Sequence, residues 1–268
     1  MFDPAAIAEG LRSADDALGA RLEDAGLSSS QPPQQAIYDG WLLRYSPGKA
    51  KRARSVNAVG AGRISLDAKL VSVEAFYRRA GLPCLYRITP YSQPAALDGA
   101  LAAAGYIARE ETRVMWVEAA GAERPLTPPV TTHVVQSDEF AAVAGALRGS
   151  SPIEAAAEAE RITRSPLPSR SLVVRNATAA IACGQIVVDG DCAGVFNMVT
   201  AAEHRGAGLA TAILRALLEH AAQAGARLAY LQVDAANLPA RHIYRKFGFR
   251  DRYAYWYRAA PTENGGQS

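Results

Sequence analysis

The stretch RGAGLA at residues 205–210 decides how the rest of this 268-residue chain is interpreted. It follows a predicted strand at residues 193–199 and opens the most regular amphipathic helix of the sequence, predicted over residues 208–224. Glycine has no Cβ, so Gly206 and Gly208 let the backbone come close to a ligand. The first amides of a helix have no partner within it, and its dipole favours an anion there. The segment therefore predicts a binding site for a diphosphate group.

Two known phosphate loops do not fit this segment. A Walker loop requires a lysine after its last glycine, and no lysine follows Gly208. A dinucleotide-binding loop requires a further glycine at the position where Thr211 stands here. A glycine-rich turn that binds no ligand stays open as an alternative.

The composition is that of a globular protein, with 49% hydrophobic and 21% charged residues. No apolar run reaches the about 18 residues of a membrane helix, and the N-terminus lacks the basic and then apolar segments of a signal peptide. We therefore expect a cytoplasmic protein with no membrane partner. The three cysteines form no CxxC pair, and the histidines have no acidic partner at ligand spacing, so we expect no metal.

The net charge of +3 is too small to indicate a nucleic-acid partner by itself. Four cations nevertheless lie close together at Lys49, Lys51, Arg52 and Arg54. This cluster could bind a phosphate, an acidic substrate or an RNA, and a solvated basic loop is the simpler interpretation.

The segment PLTPP at residues 125–129 is the best candidate for a linker between domains, because adjacent prolines end helices and keep the chain extended. It separates an N-terminal domain at residues 1–124, which begins with a helical segment, from a C-terminal domain at residues 130–260. Each part is long enough to form its own core. Residues 261–268 are expected to form a flexible tail.

Both parts alternate strands with helices, which predicts a mixed α/β sheet of the α+β kind, flanked by helices, rather than a doubly wound sheet. In the first part, strands are predicted at residues 41–45, 55–59, 84–89 and 112–117, and helices at residues 70–80 and 95–104. In the second part, strands are predicted at residues 130–135, 172–174, 181–188, 193–199, 228–233 and 253–257. Helices are predicted there at residues 139–147, 152–162, 208–224 and 238–247.

A faint internal repeat links the two parts. Residues 84–116 run from CLYRI through a predicted helix and a Gly-Tyr pair to a strand with Trp116. Residues 230–256 run from YLQV through a predicted helix and a Gly-Phe pair to a strand with Trp256. Strand–helix–strand units are common, so chance similarity stays open as an alternative.

The pattern Arg-x-x-Gly-x-Ala at residues 205–210 resembles the R/Q-x-x-G-x-G/A pyrophosphate loop of the GNAT superfamily of N-acetyltransferases. The segment VDAANLPARHIYRKFGF at residues 233–249 is similar to that superfamily's strand, asparagine, helix, tyrosine and closing Gly-Phe pair. The first part looks like a degenerate copy, with only Gly60-Ala61-Gly62 in place of the loop. The whole chain resembles bacterial tandem-GNAT proteins, which implies two tandem GNAT-like domains.

The resemblance also implies how acetyl-CoA would be bound. The pyrophosphate would accept hydrogen bonds from the amides of Arg205, Gly206, Ala207, Gly208, Leu209 and Ala210. The end of the strand with Asn197, Met198 and Val199 would separate from its neighbour and offer backbone groups to the pantetheine arm. Asn237 would hydrogen-bond the cofactor where the next strand ends.

The catalytic roles follow from the same resemblance. Tyr244 would protonate the leaving thiolate, and this transfer needs little driving force because a phenol pKa of about 10 is close to that of a thiol. A Tyr244 that only packs on the sheet is the alternative. The strand at residues 193–199 has no acid, so Glu203 or His204 would take the proton of the amine, directly or through water. Both are equally well explained as exposed loop residues.

The sequence thus predicts an acyltransferase that moves an acetyl group from acetyl-CoA to an amine by direct attack in a ternary complex. The acceptor would be a small molecule or a peptide, and the protein a monomer or a homodimer. The N-terminal domain would shape the acceptor site. A non-catalytic acyl-CoA sensor on the same fold and a tRNA-associated transferase stay open as alternatives.

Overall fold

The structure is a computed structural model that describes residues 2–119, 122 and 129–260. Its strands are β1 (Gln34–Tyr38), β2 (Trp41–Tyr45), β3 (Val56–Asn57), β4 (Leu85–Ile88), β5 (Ile107–Glu118), β6 (His133–Val135), β7 (Ser169–Arg175), β8 (Ala180–Asp189), β9 (Cys192–Thr200), β10 (Leu228–Asp234) and β11 (Arg250–Ala259). Its α-helices are α1 (Ala17–Ser29), α2 (Leu66–Arg79), α3 (Leu97–Ala103), α4 (Ser137–Leu147), α5 (Pro152–Thr163), α6 (Leu209–Gln223) and α7 (Leu238–Lys246). No helix within these ranges is long and apolar enough to cross a bilayer.

Local sequence explains where the helices of the second part begin. Helix α5 begins with a capping box, in which Ser151 and Glu154 each accept a hydrogen bond from the other's backbone amide. Asn237 caps α7, since its Oδ1 accepts a hydrogen bond from the amide of Ala240 at 3.2 Å. Helix α6 begins differently, because its first position is preceded by Gly208, which has no side chain to cap it.

The strands form one sheet in the order β1-β2-β3-β4-β11-β5-β10-β9-β8-β7-β6. Strand β5, the last strand of the first part, pairs antiparallel with β10 and β11 of the second part. Strand β11, the last strand of the second part, pairs antiparallel with β4 of the first part. The two closing strands have therefore exchanged places. These strands belong to the units β4-α3-β5 and β10-α7-β11, which cover the predicted internal repeat.

Helices cover both faces of the sheet in the second part. Helix α6 buries Ile213, Leu214 and Leu217 against one face, together with Phe247 beside α7 and Met115 from β5. Helices α4 and α5 cover the opposite face, where the core contains Phe140, Ala144, Ile162, Val173 and Cys183. Helix α1 lies on that same opposite face, with Leu22 packed among Phe196, Tyr230 and Tyr253. Since Met115 belongs to β5, the core of the second part depends on a strand from the first.

The predicted mixed sheet flanked by helices is confirmed. Each predicted strand and helix overlaps an observed one, with shifts mainly at the ends; β5 begins at Ile107, five residues before its predicted start. Strand β1 was not predicted, because its sequence QQAIY places its polar residues first and its apolar residues last instead of alternating them. Residues 125–128 of the predicted linker and all of the predicted tail at 261–268 lie outside the described residues. The division into domains at residues 1–124 and 130–260 stays a prediction.

The glycine-rich loop of the first part is occupied by the protein's own carboxylate. Asp39 accepts hydrogen bonds from the amides of Arg63 and Ile64, at 2.8–2.9 Å, just before α2 begins. Its Oδ2 also lies 2.7 Å from the ammonium of Lys69, a buried side chain. A Cβ at Gly62 would lie 2.2 Å from that same oxygen, so only glycine fits there. The hydrogen bond from Lys69, with help from the two amides, lowers the pKa of Asp39 to about 2.

Removing the first part of the chain, with β4 and β5, tests the strand exchange. We expect residues 129–260, expressed alone, to unfold without cooperativity, because β10 would lose β5, β11 would lose both β4 and β5, and the core would lose Met115. Thermal unfolding followed by circular dichroism measures this. As a control, the full chain carrying a protease site between residues 119 and 129 should stay one particle in gel filtration after cleavage, since β5 remains in place. A fragment that unfolds cooperatively near the midpoint of the full chain would contradict the prediction.

The Asp39 carboxylate should contribute to stability in a pH-dependent way. We expect Asp39→Asn to lower the midpoint of thermal unfolding at pH 7, because the buried ammonium of Lys69 would lose its anionic partner. A carboxylate with a lowered pKa stabilises the fold above its unfolded pKa of about 4, and this contribution disappears as the pH falls towards 2. The difference between the two proteins should therefore shrink over that window. Asp15→Asn, at an exposed position, is the matched control, and an equal loss in both variants would contradict the interpretation.

Candidate functional site

The loop before α6 presents backbone amides to solvent. Gly206 and Gly208 both have left-handed backbone conformations, with φ of 82° and 77°. Within the described part of the chain, the amides of residues 206–211 donate to no acceptor, whereas the amide of Ala212 is the first to bond within this turn. Arg205 and Ala207 are exposed on the same loop. The loop thus offers several free donors at the positive end of a 15-residue helix.

Next to this loop the sheet opens. Strands β9 and β10 run parallel and pair from Cys192 and Leu228 as far as Val195 and Leu231, and no further pairing joins them in the described residues. The cause lies on the other side of β9, where two residues, Asn197 and Met198, stand opposite one residue of β8. Asn197 has a φ of 56°, so the strand bends there as at a β-bulge. The predicted separation at the end of this strand is therefore present in the backbone.

A cavity of about 210 Å³ lies in the opening between the two strands. It brings together four of the predicted site residues, Asn197, Met198, Asn237 and Tyr244, from three separate segments of the chain. The remaining lining residues are Arg52, Arg148, Val195, Phe196, Leu231, Gln232, Val233 and Asp234. Met198 and Tyr244 pack with the core under α6 and α7, whereas Phe196 packs with the core under α1. The cavity therefore reaches both faces of the sheet.

Tyr244 lines this cavity from α7. Its ring packs against Phe249 at a centroid distance of 6.1 Å, and within the described residues its hydroxyl has no hydrogen-bond partner. Burial raises the pKa of Tyr244 to about 12, so the phenol is neutral at physiological pH and available as a donor. The side chain thus has both a packing role and a free polar group. These were the two interpretations that the sequence left open.

The two asparagines of the site have partners within the protein. Asn197 accepts a hydrogen bond from Arg148 Nη2 at 2.6 Å through Oδ1, and its Nδ2 donates to Gln185 Oε1 at 3.4 Å. These bonds hold the bulge in place. The Oδ1 of Asn237 caps α7, and its Nδ2 has no hydrogen-bond partner among the described residues. A role of Asn237 in cofactor binding stays a prediction.

The predicted bases lie outside the cavity. Glu203 is exposed, and His204 is half-buried, in a short turn at residues 202–204 between β9 and the glycine loop. Neither lines the cavity, and neither do Val199 or residues 205–210. The carboxylate that does line it is Asp234, whose Oδ1 already accepts a hydrogen bond from the amide of Ala236 at 2.8 Å. A role of Glu203 as the base stays a prediction.

Two arginines that the sequence did not assign to the site also line the cavity: Arg148, which was not singled out, and Arg52, which was noted only as part of a basic cluster. The cluster at residues 49–54 was the available signal, but its members have different environments. Lys49 donates to the carbonyls of Arg148 and Gly149, and Lys51 forms an ion pair with Glu110. Arg52 instead enters the cavity, where its guanidinium lies 5.2 Å from the centre of the Phe196 ring. Linear spacing could not separate these cases, because the partners are distant in the sequence.

A comparison with protein families matches residues 139–249 to the acetyltransferase (GNAT) family. A search of curated proteins finds an uncharacterized N-acetyltransferase, YobR, of Bacillus subtilis strain 168. It is 32% identical over 229 residues, and the match covers 81% of this chain and 89% of YobR. The family match contains the glycine loop, the opening in the sheet and Tyr244.

Solved structures share the fold. A GCN5-related N-acetyltransferase from Kribbella flavida superposes with a TM-score of 0.67 at 19% identity, covering 91% of this chain and 95% of that one. A tandem GNAT protein from the clavulanic acid biosynthesis pathway superposes with a TM-score of 0.56 at 17% identity, covering 74% of this chain and 70% of that one. At these identities the likeness concerns the fold alone.

Proposed function

Because this chain belongs to the GNAT family of N-acetyltransferases, we propose that it moves an acetyl group from acetyl-CoA to an amine by direct attack in a ternary complex. The observation that carries this proposal is the opening between β9 and β10, which lies beside a helix N-terminus with free amides and contains the Tyr244 hydroxyl. The loop and the opening together suit a linear ligand that has a phosphate group at one end and a reactive group at the other.

The diphosphate of the cofactor would lie on the loop at residues 205–210. Each hydrogen bond to a charged group contributes roughly 1.5–3 kcal/mol, whereas the dipole of a helix contributes about 0.3–1 kcal/mol. Several amides acting together therefore outweigh the dipole. Gly206 suits this role, because its positive φ favours glycine and the space around it, with no atom within 4 Å of a Cβ built there, is open to a ligand.

The pantetheine arm would enter the opening in the sheet. Beyond Val195 on β9 and Leu231 on β10, backbone donors and acceptors face the gap without strand partners among the described residues. The arm contains two amides, so it can pair with these groups as an added strand would. The thioester would then lie in the cavity near Tyr244.

Tyr244 would stabilise the departing thiolate by donating a hydrogen bond. With its pKa raised to about 12, full proton transfer to a thiolate whose acid has a pKa of about 8.5 would cost roughly 5 kcal/mol, at 1.36 kcal/mol per unit. The sequence predicts a proton transfer from Tyr244 that needs little driving force. With the raised pKa this transfer is unfavourable, because burial disfavours the phenolate. A neutral phenol that donates a short hydrogen bond to the thiolate avoids that cost.

The acceptor amine must lose its proton before it attacks. At pH 7 this costs roughly 4–5 kcal/mol for an alkylammonium with a pKa of about 10.4. In the cavity, the Asp234 carboxylate is already bonded to a backbone amide, so we propose that the proton leaves through water. Holding the neutral amine beside the thioester would provide the rest of the rate enhancement through proximity.

Gly206 tests the diphosphate site. We expect Gly206→Asp to weaken coenzyme A binding at least tenfold, because a carboxylate would point at the site of the diphosphate. Isothermal titration calorimetry with coenzyme A measures this. Gly225→Asp is the matched control, since Gly225 has nearly the same φ of 83° and the same open surroundings, at the opposite end of α6. Equal affinity losses in the two variants would contradict the proposed site.

Tyr244 tests the catalytic step. We expect Tyr244→Phe to lower kcat about 100-fold, with a small effect on the KM for acetyl-CoA, because the hydroxyl donates a hydrogen bond to the thiolate that forms during the reaction. Thiol release during turnover measures both constants. Tyr38→Phe, on the far edge of the sheet in β1, is the control. An unchanged kcat in the Tyr244 variant would remove the hydroxyl from the mechanism.

A further inference from the structure

The side of the cavity away from α6 and α7 is positively charged. Arg52 reaches it from the turn between β2 and β3, and Arg148 reaches it from the end of α4. Phe196 and Gln232 lie beside them, and both belong to the sheet face that α1 covers. Two guanidinium groups from distant parts of the chain therefore meet where the opening in the sheet faces α1, α4 and α5.

Arg52 forms no direct ion pair in the described part of the chain. No carboxylate there lies within 4 Å of its guanidinium. Its Nη1 donates to Gln232 Oε1 at 3.3 Å, and its Nε is buried without a hydrogen-bond partner. A guanidinium in a cavity is normally paired, so this one has unused donors.

Arg148 is only weakly neutralised. Its Nη1 lies 3.8 Å from Glu158 Oε1, but that carboxylate is already held by Arg161 through two hydrogen bonds of 2.6 and 3.0 Å. Its Nη2 donates to the neutral Asn197. Burial lowers the pKa of Arg148, and the carboxylate of Glu158 offsets this only in part. The three guanidinium groups of Arg52, Arg148 and Arg161 thus share one carboxylate.

We infer that the acceptor is an amine that also carries a carboxylate, and that Arg52 and Arg148 bind this carboxylate. The inference rests on the proposed function, since it concerns the second substrate of the same cavity. A guanidinium presents paired donors that match the two oxygens of a carboxylate. The acceptor would enter from the α1, α4 and α5 face while the cofactor arm enters beside α6 and α7. This arrangement directs the amine towards the thioester from the opposite side.

The same charges help the reaction. Nearby cations disfavour the ammonium form of the acceptor, which raises the fraction of neutral amine at pH 7. The nitrogen lone pair then attacks the thioester carbon, so a C–N bond forms and the C–S bond breaks. The amine gives one proton to water, and the thiolate takes one from solvent, so the products are an N-acetyl amine and coenzyme A thiol. A polycationic acceptor, by contrast, would be repelled from this face.

The experiment compares acceptors that differ only in the carboxylate. The full chain is given acetyl-CoA with each proteinogenic amino acid or its carboxamide, and thiol release gives kcat/KM for each pair. We expect at least a tenfold preference for the free carboxylate at the best amino acid. Arg52→Gln and Arg148→Gln should each remove this preference, and Arg52→Lys should restore part of it. Coenzyme A binding measured by calorimetry should not change in the two Arg52 variants, which leave the Arg148–Asn197 hydrogen bond in place.

The controls separate the sources of failure. Arg164→Gln, at an exposed position with a surface ion pair to Glu160, should keep the preference. Equal or better use of the carboxamides, or a preference that survives both glutamine variants, would overturn the inference. A preference for succinyl-CoA over acetyl-CoA that disappears in the same variants would also overturn it, because the carboxylate would then belong to the acyl chain. If the unaltered protein does not bind coenzyme A, the proposed function is wrong, and so is the inference that rests on it.

Discussion

The site depends on a single interruption of backbone pairing, where β9 leaves β10 after Val195. Asn197 adopts a left-handed conformation there and places two residues of β9 opposite one of β8. The backbone groups beyond this point lose their strand partners, which is costly in a closed sheet unless another group takes their place. Arg148 and Gln185 hold the Asn197 side chain and keep the strand bent. The opening is therefore built into the fold, and a ligand can use its free donors and acceptors.

The exchange of β5 and β11 makes the two parts of the chain one structure. Because β5 lies between β10 and β11, the first part supplies core residues such as Met115 to the second. The same arrangement brings the turn after β2 against the open end of β9, so that Arg52 reaches Phe196 and Gln232. The first part thus contributes directly to the face of the cavity that we assign to the acceptor.

The two glycine-rich loops differ in whether their backbone amides already have an acceptor within the protein. Before α2, the carboxylate of Asp39 accepts hydrogen bonds from the amides of Arg63 and Ile64 and forms an ion pair with Lys69. Before α6, the corresponding donors have no acceptor in the described residues. In the first loop an internal anion already satisfies the amides that a phosphate would need. The first loop is therefore closed to an external anion, whereas the second is open to one.

The sequence alone determined the order of helices and strands apart from β1, the glycine loop and the segment that contains Asn237 and Tyr244. Those features depend on periodicity, caps and glycines within a few residues of one another, so local patterns are sufficient to predict them. Only the tertiary structure decided the strand exchange, the entry of Arg52 and Arg148 into the cavity, and the raised pKa of Tyr244. These features result from burial and pairing between residues far apart in the chain. The interaction free energies of such residues depend on their distances in space, which their spacing in the sequence does not reveal.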